Sequence, residues 1–421
     1  MKRINNLFLN VYLMFFVKIF LMKLTLLFLL ILTPIALIAQ EDDSGFTSYW
    51  DKGYHLDSND GNFKLKFGGR IQYDEAVFFQ DAQNENAFGD LDNASALRRV
   101  RFVNSGTLYK FLDYKLEFDF ASGDAIVTDA FITLKNLPVV GNIRIGHQKE
   151  PFSLDQMNSS NDMTFMERAP LVAFKKQRNS GLLIFNTALE QRATWAIGFY
   201  HNSDANGKSL PDDKYNVTGR ITGLPFYKKE ENKLLHLGFA YSRRNPSERN
   251  YNISSKPASN LAPTFVATGP IENVSKNYTI GTELALIWDN FALQGEYIAS
   301  GLEDDVNTYN FNGYYGEVSY FLTGEHKNYS TKDAWFKRVT PNKNFNPVGE
   351  NKGWGAFEAA VRYSSLDLND ETVNGGELRN ITAALNWYVN PAARFSVNYV
   401  HAMVNNLGDT DIVQFRFQVA F

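Results

Sequence analysis

The side chains best suited to chemistry in this chain are cations: Arg98, Arg99 and Arg101 in ALRRVRF, Lys149, Arg168 and Arg178 around one long connection, and Arg220 further on, with the carboxylate Asp129 among them. A guanidinium offers planar, paired donors that fit an oxyanion, and it stays charged at any working pH. Several such groups in succession hold an anion moderately at each step and let it go, whereas one tight cage would trap it. A carboxylate such as Asp129 in the row keeps any single stop from binding too strongly. The chemistry these residues suit is reversible anion binding, provided the fold lines them up.

Bond-making chemistry finds less support. The six histidines, His55, His147, His201, His236, His326 and His401, stand in no H-E-x-x-H motif. No G-x-S-x-G elbow occurs, and no glycine-rich phosphate loop follows a strand and opens a helix. With no cysteine there is no thiolate metal or redox site and no disulfide framework. The acidic pairs Asp42-Asp43 and Asp304-Asp305 fall in a tail and a loop, where solvation accounts for them. An outer-membrane barrel carrying a hydrolase site is the least favoured alternative, and no cofactor is expected. The formal net charge is -4, and it becomes -8 when Lys2, Arg3, Lys18 and Lys23 leave with the first 40 residues. Nothing points to nucleic acid.

The elements that must position the cations follow from a period of two. Phe63, Leu65, Phe67, Gly69, Ile71 and Tyr73 alternate with Lys64, Lys66, Gly68, Arg70, Gln72 and Asp74. Tyr114 to Phe120, Ile381 to Val389 and Val413 to Phe421 repeat the pattern. A helix would group its apolar residues at spacings of three and four, so these are strands. Strands are expected near 62–79, 96–110, 113–121, 125–135, 141–147, 178–188, 192–201, 214–223, 233–243, 277–288, 291–300, 311–322, 354–365, 377–389, 392–404 and 411–421. That makes about 16, many long enough for the ~9–11 residues a tilted strand needs to cross a bilayer.

The expected fold is all-β, a transmembrane up-and-down antiparallel β-barrel with long inward-folded loops. A soluble β-sandwich or β-helix is the alternative. Very short connections at Phe111-Leu112, Asp289-Asn290 and Asn390-Pro391 all fall on one side if the first strand runs outward from the periplasm. The connection 323–353 breaks that rule. Trp354, Trp387, Tyr388, Tyr399 and Tyr49-Trp50 lie near strand ends, where aromatic girdles sit. The C-terminal stripe then faces lipid, and the last strand closes on the first so that no edge is left open.

Strand phase sorts the wall. Leu97, Arg99, Arg101 and Val103 share one face, read as the lumen, while Arg98, Val100 and Phe102 share the other. Arg70, Arg144, Arg220 and Arg362 also phase inward, with Asp74, Asp119, Asp129 and Glu358. Arg98 is awkward, because an arginine on the lipid face at mid-bilayer costs roughly 2–4 kcal/mol. A bulge, a strand end or a subunit contact would resolve it. The connection 148–177, which holds Lys149, Arg168, Lys175 and Lys176, is long enough to be functional or folded into the lumen. The connection 244–276 is a second candidate for inward folding.

In the first 40 residues the apolar run Leu24–Ala39, after Lys23, reads as a secretory signal, with Met22 as an alternative start. Residues 41–60 then form a short leader and 61–421 the barrel. A membrane anchor is the competing reading of the first segment.

Several stretches resemble a known family. FKLKFGGRIQYD (63–74), ALRRVRF (96–102), DAFITLK (129–135), IRIGHQKEPFSLDQMNSS (143–160), TFMERA (164–169), RNSGLLIF (178–185), FKRVTP (336–341), GWGAFEAAVRYSSLDLND (353–370) and NITAALNWYVNPAARFSVNYVHAM (380–403) are similar, in the same order, to the phosphate-selective porins O and P. The resemblance implies a 16-stranded outer-membrane barrel in a Gram-negative envelope, a homotrimer, and passive diffusion of inorganic phosphate or other small anions through a basic-lined constriction. A broad-specificity or non-phosphate diffusion porin is the alternative. The Arg98-Arg99 pair, Lys149 and Arg168 lie within the similar stretches. That family also folds a long periplasmic turn into its channel, which would explain 323–353 and makes Arg338 a pore candidate. The aromatic end at Phe421 resembles the signal read by the barrel-assembly machinery.

Overall fold

The structure, a computed structural model, describes residues 45–174, 178–210, 214–246, 251–348 and 352–421. The expected signal segment, Lys175 and Lys176 lie outside the described residues. Two compact units are separable: the residues up to Thr47 with Ser58–Asp60, and Ser48–Asp57 with Gly61–Phe421. In the first, the Asn59 N–H donates to the Gly45 carbonyl at 2.8 Å.

The second unit is a closed antiparallel barrel of sixteen strands. They are β1 Phe63–Gln80, β2 Ala94–Leu108, β3 Leu112–Asp119, β4 Ile126–Leu137, β5 Gly141–Lys149, β6 Arg178–Ala188, β7 Ala193–His201 and β8 Asn216–Lys228. The second half is β9 Lys233–Arg244, β10 Lys276–Trp288, β11 Phe291–Glu303, β12 Thr308–Phe321, β13 Ala356–Asp370, β14 Val373–Tyr388, β15 Ala393–Val404 and β16 Gly408–Ala420. Each pairs with the next, and β16 pairs with β1 from Thr410↔Gln80 to Ala420↔Arg70. Closure leaves no edge strand with a row of unpaired N–H and C=O groups, the condition for crossing hydrocarbon. Among the described residues no helix is long and apolar enough to cross a membrane.

The alternating pattern is realised as expected. Along β16 Phe415 and Phe417 are exposed on the outer face, while Gln414, Arg416 and Gln418 are buried inside. Outside, a row of aromatic rings runs across four strands, Phe357 stacked on Trp387 at 5.9 Å, Trp387 on Phe395 at 5.6 Å, and Phe395 tilted against Phe417 at 4.8 Å. Tyr388 departs from the expected girdle: it points inward, and its hydroxyl donates to Glu358 at 2.7 Å.

Among the strand boundaries that differ from the sequence reading, three have a clear local reason. The first tight turn is not Phe111-Leu112 but begins at Tyr109 and Lys110, whose φ values of 48° and 66° are both left-handed, as a primed hairpin turn requires. Neither residue type announces that conformation. β8 continues to Lys228 past Pro225, because the register shifts between Gly223 and Phe226 and the proline needs no ladder bond there. β13 runs on to Asp370 through a second register shift beyond Asp367.

Two short helices, α1 Ala82–Phe88 and α2 Leu154–Met157, and the small hairpins Ser254–Ser255/Val266–Ala267 and Asn328–Ser330/Trp335–Lys337, belong to the connections.

Candidate functional site

Glu150 to Phe174 leave β5 and enter the lumen instead of arching over the rim. Phe152, Leu154, Phe165, Met166, Leu171 and Phe174 are each at most 2% exposed. The inner wall makes room with two glycines. A Cβ on Gly281 of β10 would meet the Phe152 ring at 3.0 Å, and one on Gly313 of β12 would meet Leu171 at 2.8 Å.

An irregular segment in such a place must find partners for its main chain, since each buried unpaired polar group costs ~1–3 kcal/mol. The wall supplies them. The first N–H groups of α2, on Leu154 and Asp155, donate to Glu296 at 3.0 and 2.7 Å. Successive carbonyls beyond α2 accept from Gln72 to Ser160 at 3.1 Å, Arg394 to Met163 at 2.7 Å, Asn386 to Thr164 at 2.8 Å, Arg416 to Met166, and Arg362 to Glu167 at 3.0 Å. At the C-terminal end of α2, Lys149 donates to the carbonyls of Gln156, Met157 and Asn158 at 2.7, 3.3 and 3.1 Å. Arg168 donates to those of Asp155 and Asn158, both at 2.8 Å. Cations are the favoured occupants of that pole.

This anchoring sets the electrostatics of the passage. The segment lies against β10–β16, and with residues 322–348 it covers the inner carboxylates Glu283, Glu296 and Glu358, each at most 4% exposed. What stays open is the wall of β1–β6. There a cavity of about 270 Å³ is lined by Arg70, Arg99, Arg101, Lys115, Arg144, Lys149, Arg168 and Arg178 against Glu117, Asp129 and Asp333, a surplus of five positive charges.

Cross-strand register explains how so many cations tolerate one another. Arg70 stands opposite Arg101, Lys149 opposite Arg178, and Glu117 opposite Asp129. Like charges face to face are destabilising, but the carboxylate pair lies between the two cation pairs. Glu117 takes Arg101 at 2.7 Å, Lys115 at 3.0 Å and Arg70 at 3.1 Å. Asp129 takes Lys115 at 2.5 Å and Arg178 at 2.7 Å.

Two more cavities continue the passage. One of about 290 Å³ shares Arg99 and Arg168 with the central one and adds Arg98, Lys256 and Glu167. Another of about 430 Å³, towards the end that carries Phe421, shares Arg144 and Phe131 and adds Lys64 and Lys66. A cation therefore stands at every junction.

Residues 65–421 match the family model described as phosphate-selective porin O and P. The chain belongs to that family. It is an outer-membrane anion porin, not an enzyme. Porin O of Pseudomonas aeruginosa is 26% identical over 404 residues, which cover 85% of this chain and 88% of that protein. An outer membrane protein of Vibrio cholerae, OmpT without loop L8, aligns at TM-score 0.54 and 12% identity over 85% of this chain and 99% of the other. An anion-selective porin from Comamonas acidovorans aligns at 0.52 and 11%, over 85% and 100%. At such identities the two structures share the fold alone.

In this porin Arg99, Arg101, Lys149, Arg168, Arg178 and Asp129 meet at the central cavity. Arg98 reaches the lumen through a bulge: Gln72 pairs with Arg99 and Tyr73 with Leu97, so Arg98 is the extra residue. Its guanidinium then grips Glu167 with two bonds of 2.8 and 3.0 Å. The same bulge turns Leu97 outward, 52% exposed, against the phase assigned from the sequence. Arg220 and Arg338 are placed elsewhere. Arg220 is buried against Glu283 at 2.6 Å and the Ala334 carbonyl at 3.0 Å. Arg338 donates to the carbonyls of Pro391 and Ala420, both at 3.2 Å. Lys115, Glu117 and Glu167 were not singled out by sequence. The first two sit on the inward phase of β3, a usable signal, whereas Glu167 is set by loop geometry that no periodicity encodes.

The porin's two inward segments also brace each other. The Phe336 N–H donates to Asn158 Oδ1 at 3.0 Å. Lys327, paired with Glu358 at 2.6 Å, donates to Thr164 Oγ1 at 2.8 Å. Thr164→Val, which keeps shape and loses the acceptor, should increase open-channel current noise, and Thr164→Ser should restore a quiet channel. Equal noise in all three proteins would show the brace to be idle.

Glu167 gives a pH expectation. Burial pushes its carboxyl up, but Arg98, Arg99 and Arg416 outweigh this and hold it well below the usual carboxylate range. A group depressed on folding contributes stability above its unfolded value, ~4.3, and loses it only as pH falls towards its lower folded value. The contribution of Glu167 to conductance should therefore be steady from neutral pH down to about pH 4, whereas Glu167→Gln, which lacks the charge, should lack that contribution at every pH.

Proposed function

We propose that this porin passes inorganic phosphate and related small oxyanions passively, through the passage between Glu150–Phe174 and the wall of β1–β6. One observation carries the reading: the inward segments cover the carboxylates of one wall and leave the cations of the other facing the passage. An anion enters past Arg98 and Arg99, meets Arg101, Lys115 and Arg178 at the centre, and leaves past Arg144. Asp129 and Glu117 weaken each stop, so that no site holds the ion too long. Lys149 and Arg168 add positive potential while their donors hold α2 in place.

The test is reversal potential and phosphate block of chloride current in planar bilayers. The expected result is anion preference with current reduced by added phosphate, and a lowered preference in Arg99→Ala. Cation preference would remove the reading, and indifference to phosphate would leave a general anion porin.

The reading extends to a homotrimer, to export by the signal within residues 1–40 ahead of a leader to residue 60, and to recognition of the C-terminus by the barrel-assembly machinery. Supporting the last, Phe421 makes the final rungs of the seam: its N–H donates to Gly69 at 3.0 Å and its carbonyl accepts from Gly69 at 2.7 Å. Deleting Phe421 should reduce the amount of assembled barrel by more than it changes the conductance of those that form.

A further inference from the structure

The central cavity is not wholly polar. Phe131 from β4, Leu183 from β6 and Trp335 from the 322–355 connection line it together with the cations. Orthophosphate has no apolar surface to bury, and apolar lining lowers the hydration available to a bare ion without offering it a partner. Phe131 is also placed where traffic must pass, since with Arg144 it borders both the central cavity and the one beyond it.

Arg144 is set apart from its neighbours, for Lys149 and Arg168 also hold no carboxylate but have their donors on carbonyls. Arg70, Arg101, Lys115 and Arg178 each hold a carboxylate within 3.1 Å. Among the described residues Arg144 holds none. Its Nε donates to Thr133 Oγ1 at 3.0 Å, and its guanidinium lies between the rings of Phe131, 4.2 Å away, and Phe185, 5.0 Å away. Packing between rings fixes the orientation of the guanidinium at little cost in hydrogen bonds. The result is an anion receptor without an internal counter-ion, in the wall of a cavity that also holds an indole.

We infer that this porin recognises organic anions, phosphate monoesters or carboxylates that carry a ring, with the charged group on Arg144 and the ring against Phe131 and Trp335. This rests on the anion-porin reading above and narrows its substrate class. The sizes agree with passage and not capture. A ring contact is worth about 0.5–1.5 kcal/mol, enough to favour entry by up to roughly tenfold and too little to stop release.

The experiment compares orthophosphate, methyl phosphate and phenyl phosphate as blockers of chloride current through single inserted channels, so that only folded barrels are read. Anion preference is measured first from the reversal potential, and its absence would overturn the underlying reading by itself. In an anion-selective channel, phenyl phosphate should block half the current at a concentration about two- to tenfold lower than methyl phosphate, in keeping with the size of a ring contact. Phe131→Leu and Trp335→Leu should each bring phenyl phosphate close to methyl phosphate while orthophosphate block moves less than about twofold, and Trp335→Phe should retain most of the difference. Equal block by the phenyl and methyl esters in the unsubstituted porin would overturn the inference. So would leucine variants that shift all three blockers alike.

Discussion

Replacing Arg416 by methionine should cost the barrel about 3–5 kcal/mol, the usual penalty for removing one partner of a buried ion pair. Arg416, on the last strand, stands opposite Asp74 on the first. It holds that carboxylate with two bonds of 2.6 Å and reaches Glu167 at 2.8 Å, with 1% of its side chain exposed. One residue thus joins the closing seam to the segment that narrows the lumen. Its loss leaves Asp74 in the interior short of its counter-charge, while Glu167 keeps Arg98. The readout is the temperature at which the folded electrophoretic band converts to the unfolded one. Asp74→Asn combined with Arg416→Met should recover part of the loss, because the stranded charge goes with its partner. A single variant as stable as the unsubstituted protein would contradict the account.

The second large effect concerns selectivity. Arg178→Glu changes the charge surplus of the central cavity from five to three. At about 4 Å one unit charge acts on an ion with ~1 kcal/mol in bulk water and more where the dielectric is lower. A reversal counts twice, and screening at ~0.1 M salt removes part of it. The anion-to-cation permeability ratio should fall about tenfold, since 1.4 kcal/mol corresponds to a factor of ten. Arg220→Met is the comparison: Arg220 is neutralised by Glu283 at 2.6 Å and lines none of the three cavities of the passage, so the ratio should stay put. A change in Arg220→Met half as large, on a logarithmic scale, as that in Arg178→Glu would mean that net lumen charge, and not the central cavity, controls selectivity.

The glycines facing the inserted segment show why its path was hard to read in advance. Gly281 and Gly313 look like ordinary weak points of two strands. Only with the chain threaded do they become the spaces for Phe152 and Leu171. Lys149 and Arg168 mislead in a similar way. By type and position they are candidate anion ligands, yet their donors hold carbonyls of the same connection. Arg98 is an anomaly of strand phase, and its place as the single extra residue opposite the Gln72–Tyr73 step resolves it.

What the sequence determined alone was the barrel. Alternation of apolar and polar residues is a property of neighbours along one strand, and a bilayer outside with water inside turns it directly into wall, lumen and closure. All sixteen strands and the inward phase of Arg70, Arg99, Arg101 and Asp129 followed from that local rule. Tertiary structure decided which cations face the passage and which hold the chain that narrows it. Those assignments depend on contacts between residues such as Arg416 and Met166, 250 positions apart, and on a bulge and two glycines whose effect exists only once the segment lies in the lumen. A period of two records which side of the wall a residue faces, and nothing in it records what will later be packed against that side.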